Sequence, residues 1–358
     1  MKHYDVAIIG GGIHGMTSAN SLSKLGKSVV LCEQFEFGHL RGGSHGPTRI
    51  FRMSYSDPDY VSMASASLAM WRKLEEEAGV SLLELNGCVD HGDGEKMMKV
   101  VATMDSCAIS SEILPKEEAR ERWPNLNFDD VIIFQPGGGR LYARAILSAL
   151  YEVCESRGVD FFEFMPVRKI SNDISGKSIL ECENKTFSAD VVVSCAGAWT
   201  YPLLKDYLPL AQPMVTQDDL VFFASTDPGA IWPNIRHHSE VDHFSQEAPG
   251  VGILVGQDKS GQVLKNADDR DFIVDPLNGI RLCDYVEKYM PGLKPEPISS
   301  QTYLSSFNKS GDFIVDRVGN IVVVQAGEQQ GFKFSPLIGK YVSELVTGKK
   351  FSQLRFRL

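Results

Sequence analysis

Gly10-Gly11-Gly12-Ile13-His14-Gly15 has the spacing G-x-G-x-x-G, and Glu33 closes the next apolar run. Each residue type has a task in holding a dinucleotide. Gly10 permits a tight turn, Gly12 lets the backbone approach a pyrophosphate, and Gly15 lets a helix pack closely on a strand. Helix amides opening at Ile13 and His14 attract phosphate. Glu33, with Gln34 beside it, can accept hydrogen bonds from a ribose diol and repels a 2′-phosphate, which disfavours NADP. The motif is weak alone and gains its force from context.

The context is present. Asp5–Ile9 reads as a buried strand, residues 13–25 show helical spacing with Gly26 at the C′ position, and Ser28–Cys32 reads as the next strand. Together they make a βαβ unit. Downstream, a Gly-rich segment spans residues 38–48, and Asp57-Pro58 offers an N-cap and an N1 proline for an amphipathic helix closed near Gly79. Helical stretches are expected over 95–104, 115–123 and 142–155. Strands are expected at 161–167 and 191–194, and residues 205–312 read as shorter strands in an antiparallel sheet. The last unit reads as strand 321–324, Gly-rich turn 326–331 and helix 336–347. An NAD dehydrogenase would continue as repeated βαβ units. Interruption after Glu33 and a late return to the first domain favour a flavoprotein.

The bulk numbers narrow the class. The chain has 358 residues and a formal net charge of −10, which disfavours a nucleic-acid partner because such surfaces must be basic. Seven widely spaced Cys without C-x-x-C argue against a disulfide framework or a zinc site and for a reducing compartment. No apolar run approaches the ~18 residues of a membrane span. No signal peptide is visible, so the expected location is cytoplasmic. His237, His238 and His243, with Glu240 and Asp242, form a His-rich stretch that lacks helix-spaced zinc patterns; it reads as a polar loop, with Phe244 and Gln246 as candidate pocket residues and no metal.

Four stretches carry a family resemblance over nearly the whole chain: the fingerprint with Glu33, Gly43-Ser44-His45-Gly46-Pro47-Thr48-Arg49-Ile50-Phe51-Arg52, Val193-Ser194-Cys195-Ala196-Gly197-Ala198-Trp199, and Gly331-Phe332-Lys333-Phe334-Ser335. They resemble the FAD-dependent amine oxidases of the D-amino acid oxidase superfamily, nearest the sarcosine oxidase and N-methyltryptophan oxidase branch. The resemblance places Ser44, His45, Thr48 and Arg49 near the flavin and its phosphates. It brings Ala196, Gly197, Trp199, Gly331 and Phe332 to the cofactor and lends the Val167 backbone to the adenine. Arg52 and Lys333 match two cations that clamp a substrate carboxylate, and the chemistry suits them: Arg supplies a bidentate fork and Lys a point charge. A cation near the flavin would also stabilise its anionic reduced form, so Lys333 counts toward both substrate and cofactor.

The sequence departs from the family at three places. The family's flavin-attaching Cys falls on Tyr303, and no Cys follows Cys283, so noncovalent FAD is expected. The oxygen-activating Lys falls on Leu254, which cannot stabilise superoxide and leaves oxygen or another acceptor open. An active-site His falls on Asp258, which would prefer a second ammonium or a polar group if it faces the substrate.

The expected fold is therefore α/β: a Rossmann-like FAD-binding domain (about 1–80, 140–205 and 313–358) and a discontinuous second domain on a mixed, largely antiparallel sheet (about 81–139 and 206–312). The expected function is oxidation of the C–N bond of an amino acid or N-substituted amino acid, by hydride transfer to flavin N5 and hydrolysis of the imine. The alternatives are a flavin dehydrogenase of a hydroxy acid or amino acid conjugate, an NAD-linked dehydrogenase, and a non-catalytic binding protein.

Overall fold

The computed structural model describes residues 1–328, 330–349, 351 and 353–358. Among these, a first sheet of eight strands is centred on Lys2–Ile9. That strand runs parallel to Val29–Cys32, which in turn runs parallel to Asp160–Phe162. On its other side lies Thr186–Ser194, also parallel. The outer edge of Thr186–Ser194 is shared. Its first half pairs with the antiparallel meander Ser178–Cys182 and Val167–Asn172, and its second half with Ile321–Gln325, followed by antiparallel Ile314–Val318.

Period-two alternation divides the buried residues between two cores. Val6, Ile8, Val29, Leu31, Val191 and Val193 face a layer of helices, while Ala7, Ile9, Val30, Cys32 and Val192 pack against Ile170, Leu180, Phe187 and Leu208. The helical layer holds Ile13–Ser23, Pro58–Ala78, Ala143–Ser156 and Gly331–Val346. The first and last of these pack at Gly339, where an added Cβ would sit 2.4 Å from the Thr17 carbonyl oxygen. Pro58–Ala78 forms as its ends predict: Asp57 accepts from the Asp59 amide, and Gly79 takes φ 68°.

The second sheet has nine strands among the described residues. Its spine is the antiparallel pair Met214–Ser225 and Leu293–Phe307. Gly252–Gln257, His243–Ala248 and Asn234–His238 follow in antiparallel order. Asn234–His238 then pairs in parallel with Cys88–Gly92, joining two segments distant in sequence into one sheet. Helices Lys116–Arg122 and Pro276–Tyr289 contribute Ala119, Leu282, Tyr285 and Val286 to its core. The architecture is α/β with one Rossmann-type sheet and one mixed, mostly antiparallel sheet, as expected.

Three local expectations are corrected. Residues 161–167 are not one strand: Asp160–Phe162 ends, Phe164 takes φ 50°, and Val167 opens the next strand. The break lets the Met165 amide donate to the Glu33 carbonyl and the Phe164 amide to that of Phe35. The last helix starts at Gly331, five residues before the expected Pro336, which lies inside it. Residues 205–312 contain strands of 12 and 15 residues, longer than expected, and the helix Pro276–Tyr289. That helix had a signal, since Asp275-Pro276 repeats the cap-and-proline start of Asp57-Pro58 and the Asp275 side chain accepts from the Leu277 amide.

Candidate active site

The fingerprint turn is built by contacts that exclude side chains. Gly10 takes φ 101°, and a Cβ there would lie 2.5 Å from the Cys195 carbonyl oxygen. A Cβ on Gly15 would lie 1.9 Å from the Gly10 carbonyl oxygen, so Gly15 serves the close packing of helix on turn. No side chain caps Ile13–Ser23 at Gly12, although Ser44 Oγ accepts from the Ile13 amide at 3.0 Å. Buried Glu33 accepts from the Gly11 amide at 2.7 Å and the Phe35 amide at 2.9 Å. Burial raises its pKa, but His39 and these amides outweigh that and hold the carboxyl below its usual range, as an anion.

This turn lines a cavity of about 440 Å³. Gly10, Gly12, Ile13, His14, Glu33 and Gln34 form part of its wall; Ser44, His45, Arg49 and Val167 form another. Ala196, Gly197, Trp199, Gly331 and Phe332 complete the expected set. Three expected residues do not line it. Gly15 packs behind the turn, Thr48 is fully buried with its hydroxyl unpartnered, and Lys333 lines a second cavity. Both ring nitrogens of His45 are buried without a partner, and burial, then Arg49 and Arg270, push its pKa down to about 3. His45 is a neutral imidazole at pH 7 that can donate and accept.

The second cavity, about 120 Å³, shares Arg49, Tyr303, Glu328 and Phe332 with the first. Arg52 and Lys333 line it, each 8 % exposed. Arg52 donates to the Ser54 carbonyl and, at 3.3 Å, to Ser54 Oγ, and its guanidinium lies 4.1 Å from the Tyr55 ring centre. Lys333 Nζ makes one long hydrogen bond, 3.4 Å to the Gln330 carbonyl. Among the described residues, neither cation has a carboxylate within salt-bridge distance. Burial, then Arg52 and Arg236, push the Lys333 ammonium well below 10.5. Asp258 also lines this cavity, but Arg236 grips it in a bidentate pair at 3.1 and 2.6 Å. Its charge is thus already matched and does not call for a second ammonium.

Comparisons with known proteins give the family. The sequence pattern of the DAO family, FAD dependent oxidoreductases, matches residues 5–345. The chain is an FAD-dependent oxidoreductase of the DAO family. It is 28% identical to a monomeric sarcosine oxidase from Bacillus sp. (strain B-0618), over 97% of this chain and 93% of that protein. It is 27% identical to a peroxisomal sarcosine oxidase from Homo sapiens, over 96% of this chain and 92% of that protein. In fold it is similar to NikD, an unusual amino acid oxidase essential for nikkomycin biosynthesis, with a TM-score of 0.90 at 22% identity, covering 100% and 98% of the two chains.

The residues fit the cofactor of this DAO-family enzyme. FAD needs a backbone cradle for its pyrophosphate, an acceptor for its ribose and polar partners for its ring edge. The glycine turn, Glu33 and the unpartnered ring nitrogens of His14 and His45 supply these types. Sequence reasoning missed several wall residues. Leu304, Ser305 and Ser306 come from the long strand of the second sheet, and Arg270 pins the Gly-rich loop by donating to the Leu40 and Arg41 carbonyls at 2.6 and 2.8 Å. No local motif marks them, because their proximity depends on how the two sheets meet. Arg236 was equally invisible, although it was separated from the His-rich stretch by nothing in sequence. That stretch is not a polar loop: His237 and His238 end one strand and His243 begins the next. Phe244 and Gln246 do line the second cavity. Among the described residues no helix is long and apolar enough to cross a membrane.

Proposed function

We propose that the enzyme oxidises the C–N bond of a small amino acid or N-substituted amino acid whose carboxylate is held by Arg52 and Lys333. One observation carries this reading: two buried cations without a carboxylate partner line a small cavity that adjoins the cofactor cavity. Burying unpaired charge is costly, so such a pair makes physical sense as a receptor for an anion. Among the lining residues Arg49, Arg52, Arg236, Lys259 and Lys333 outnumber Asp258 and Glu328 in charge, which disfavours an ammonium and favours the neutral amine. Asp258, tied to Arg236, is then needed for no proton transfer, and orientation of the α-carbon is the main task of the chain. When bound, FAD would accept the hydride from that carbon. The imine released would hydrolyse in water.

The proposed cofactor domain is about 1–80, 140–205 and 313–358, and the proposed substrate domain about 81–139 and 206–312. FAD is held noncovalently in this reading, since Tyr303 stands where attachment would need a thiol. Leu254, 1 % exposed, lines the substrate cavity and offers no charge to oxygen. This favours a second reading, a flavin dehydrogenase of an amino acid conjugate or a hydroxy acid that passes electrons to another acceptor. The test is anaerobic bleaching of the yellow protein by N-methyl amino acids, primary amino acids and 2-hydroxy acids, followed by reoxidation with air or a soluble quinone. Arg52→Ala should lower kcat/KM about 100-fold or more on any substrate found, the loss of a charged, bidentate contact. Bleaching only by uncharged amines, with Arg52→Ala unchanged, would remove the clamp.

A further inference from the structure

Asp90 is a buried carboxylate that the proposed chemistry does not use. It lies within Cys88–Gly92, a strand of the nine-stranded sheet, and is 0 % exposed. A buried interior position on a strand ordinarily holds an apolar side chain, because an ionised carboxylate there is stable only when paired and hydrogen-bonded. Asp90 has both kinds of partner. Ser54 Oγ donates to its Oδ2 at 2.7 Å, and His238 Nε2 lies 2.8 Å from its Oδ1. Ser54 in turn accepts from Arg52 through its carbonyl and its hydroxyl. A continuous chain therefore runs from the guanidinium through Ser54 and Asp90 to His238.

We infer that Asp90 and His238 are positioning residues: a buried charge pair behind Arg52 that holds its guanidinium and sets its attraction for the substrate carboxylate. This rests on the carboxylate clamp proposed above and extends it to residues that do not touch the substrate. Asp90 fixes the Ser54 hydroxyl, and Ser54 fixes Arg52 over Tyr55. His238 balances the charge that Asp90 would otherwise turn on Arg52.

The surroundings give the pair a pH dependence with a definite sign. His238 faces Asp90 and His91 of the neighbouring strand, Arg236 and His237 of its own, and Asp242 at 3.3 Å in the following turn. Asp242 is also faced by Lys96, and Arg236 by Asp258. Burial pushes the His238 pKa down, but Asp242 and Asp90 outweigh it and leave it above 6.5. Burial pushes Asp90 up, and His238, Arg52 and Ser54 together bring it below 3.8. Below the raised His238 pKa, the pair is Asp90 anion with His238 cation. Above that pKa His238 loses its charge, and Asp90 stands uncompensated next to Arg52, competing with the bound carboxylate. Carboxylate affinity should fall as pH rises through this step.

The test titrates holoenzyme with pyrrole-2-carboxylate, and with pyrrole-2-carboxamide as the uncharged control, by flavin absorbance from pH 6 to 9. For wild type the carboxylate Kd should rise about fivefold across the His238 step, the scale of one extra charge several ångströms away at high effective dielectric. His238→Gln should bind the carboxylate about fivefold more weakly than wild type at pH 6, where only wild type has the compensating charge. Asp90→Asn should bind it about fivefold more tightly than wild type on the alkaline side of the His238 step, where only wild type has the uncompensated anion. The carboxamide should follow neither change. A structural role alone would weaken both variants at every pH and for both ligands, and that result overturns the inference, as do unchanged pH profiles. Wild type binding both ligands alike, with Arg52→Ala indifferent, would be a separate failure, that of the clamp itself. FAD content and thermal midpoint of each variant confirm that a folded holoenzyme is being compared.

Discussion

Lys333 is a cation placed where burial, the Arg52 and Arg236 guanidinium groups and its position in the first turn of Gly331–Val346 all oppose its charge. A lysine whose folded pKa lies below its unfolded value binds fewer protons folded than unfolded between the two, so stability rises with pH through that window. Below the folded pKa the whole penalty is present. Lys333→Met should therefore stabilise the apoprotein by about 1–2 kcal/mol at neutral pH, the usual scale for relieving a buried charge. The gain should shrink as pH approaches 10.5, the ordinary lysine value. Urea unfolding of both apoproteins at pH 7 and pH 9.5 measures it. The same variant should weaken pyrrole-2-carboxylate binding to the holoenzyme at least tenfold, since it removes the charge that attracts the carboxylate. A variant that loses both stability and binding would mean that Lys333 is a packing residue. The types and positions of Arg52 and Lys333 were legible through resemblance. The Arg236 grip on Asp258 was not, because it links a strand to the residue after another strand, with His243–Ala248 between them, and so depends on how the sheet assembles.

At the scale of the element, the strand–turn–helix at residues 2–23 follows from its own composition. β-branched residues build a buried strand, and Gly10 and Gly15 sit where a Cβ would strike backbone. Gly15→Ala should push the helix Ile13–Ser23 off the turn and reduce FAD affinity by about 100-fold, measured by titrating apoprotein with FAD and following fluorescence quenching; distortion of a close backbone approach commonly costs a few kcal/mol. A fall of less than threefold would show that the turn absorbs the methyl group. The last helix teaches the opposite lesson. Its start was misread because Gly331 and Pro336 are both breakers by local rule. The helix nevertheless begins at Gly331, where the chain passes so close to His14 that a Cβ would lie 2.8 Å from Nε2. Packing on Ile13–Ser23 overrode propensity there, and it moved Lys333 from a turn into a buried first turn.

At the scale of the whole molecule, the cofactor cavity is a joint. Its wall takes the glycine turn from one sheet and Tyr303 to Ser306 from the longest strand of the other. A ligand bound there adds stability by mass action, about 2.7 kcal/mol at 100 times its Kd. FAD should therefore be removable by acid precipitation into a yellow supernatant, and native apoprotein should show a lower thermal midpoint. Hydrogen exchange should speed up in residues 302–307 and 38–46 together, because the joint loses its filler from both sides. Flavin colour remaining in the acid pellet would mean covalent attachment and overturn the noncovalent reading. Exchange rising in the glycine loop alone would mean that the second sheet does not depend on the cofactor.

The residues alone were sufficient for the βαβ start, the helix from Pro58 and the α/β class, because turns, caps and strand periodicity act over a few residues. They were also sufficient to show that no thiol stands at Tyr303 and no amine at Leu254. Tertiary structure alone decided that strand Leu293–Phe307 walls the cofactor cavity, that Asp258 is neutralised by Arg236, and that Asp90 and His238 meet behind Arg52. These are contacts across sheets and between strands far apart in the chain. Such contacts are selected by burial, register and charge balance at the level of the whole fold, which no window of neighbouring residues encodes.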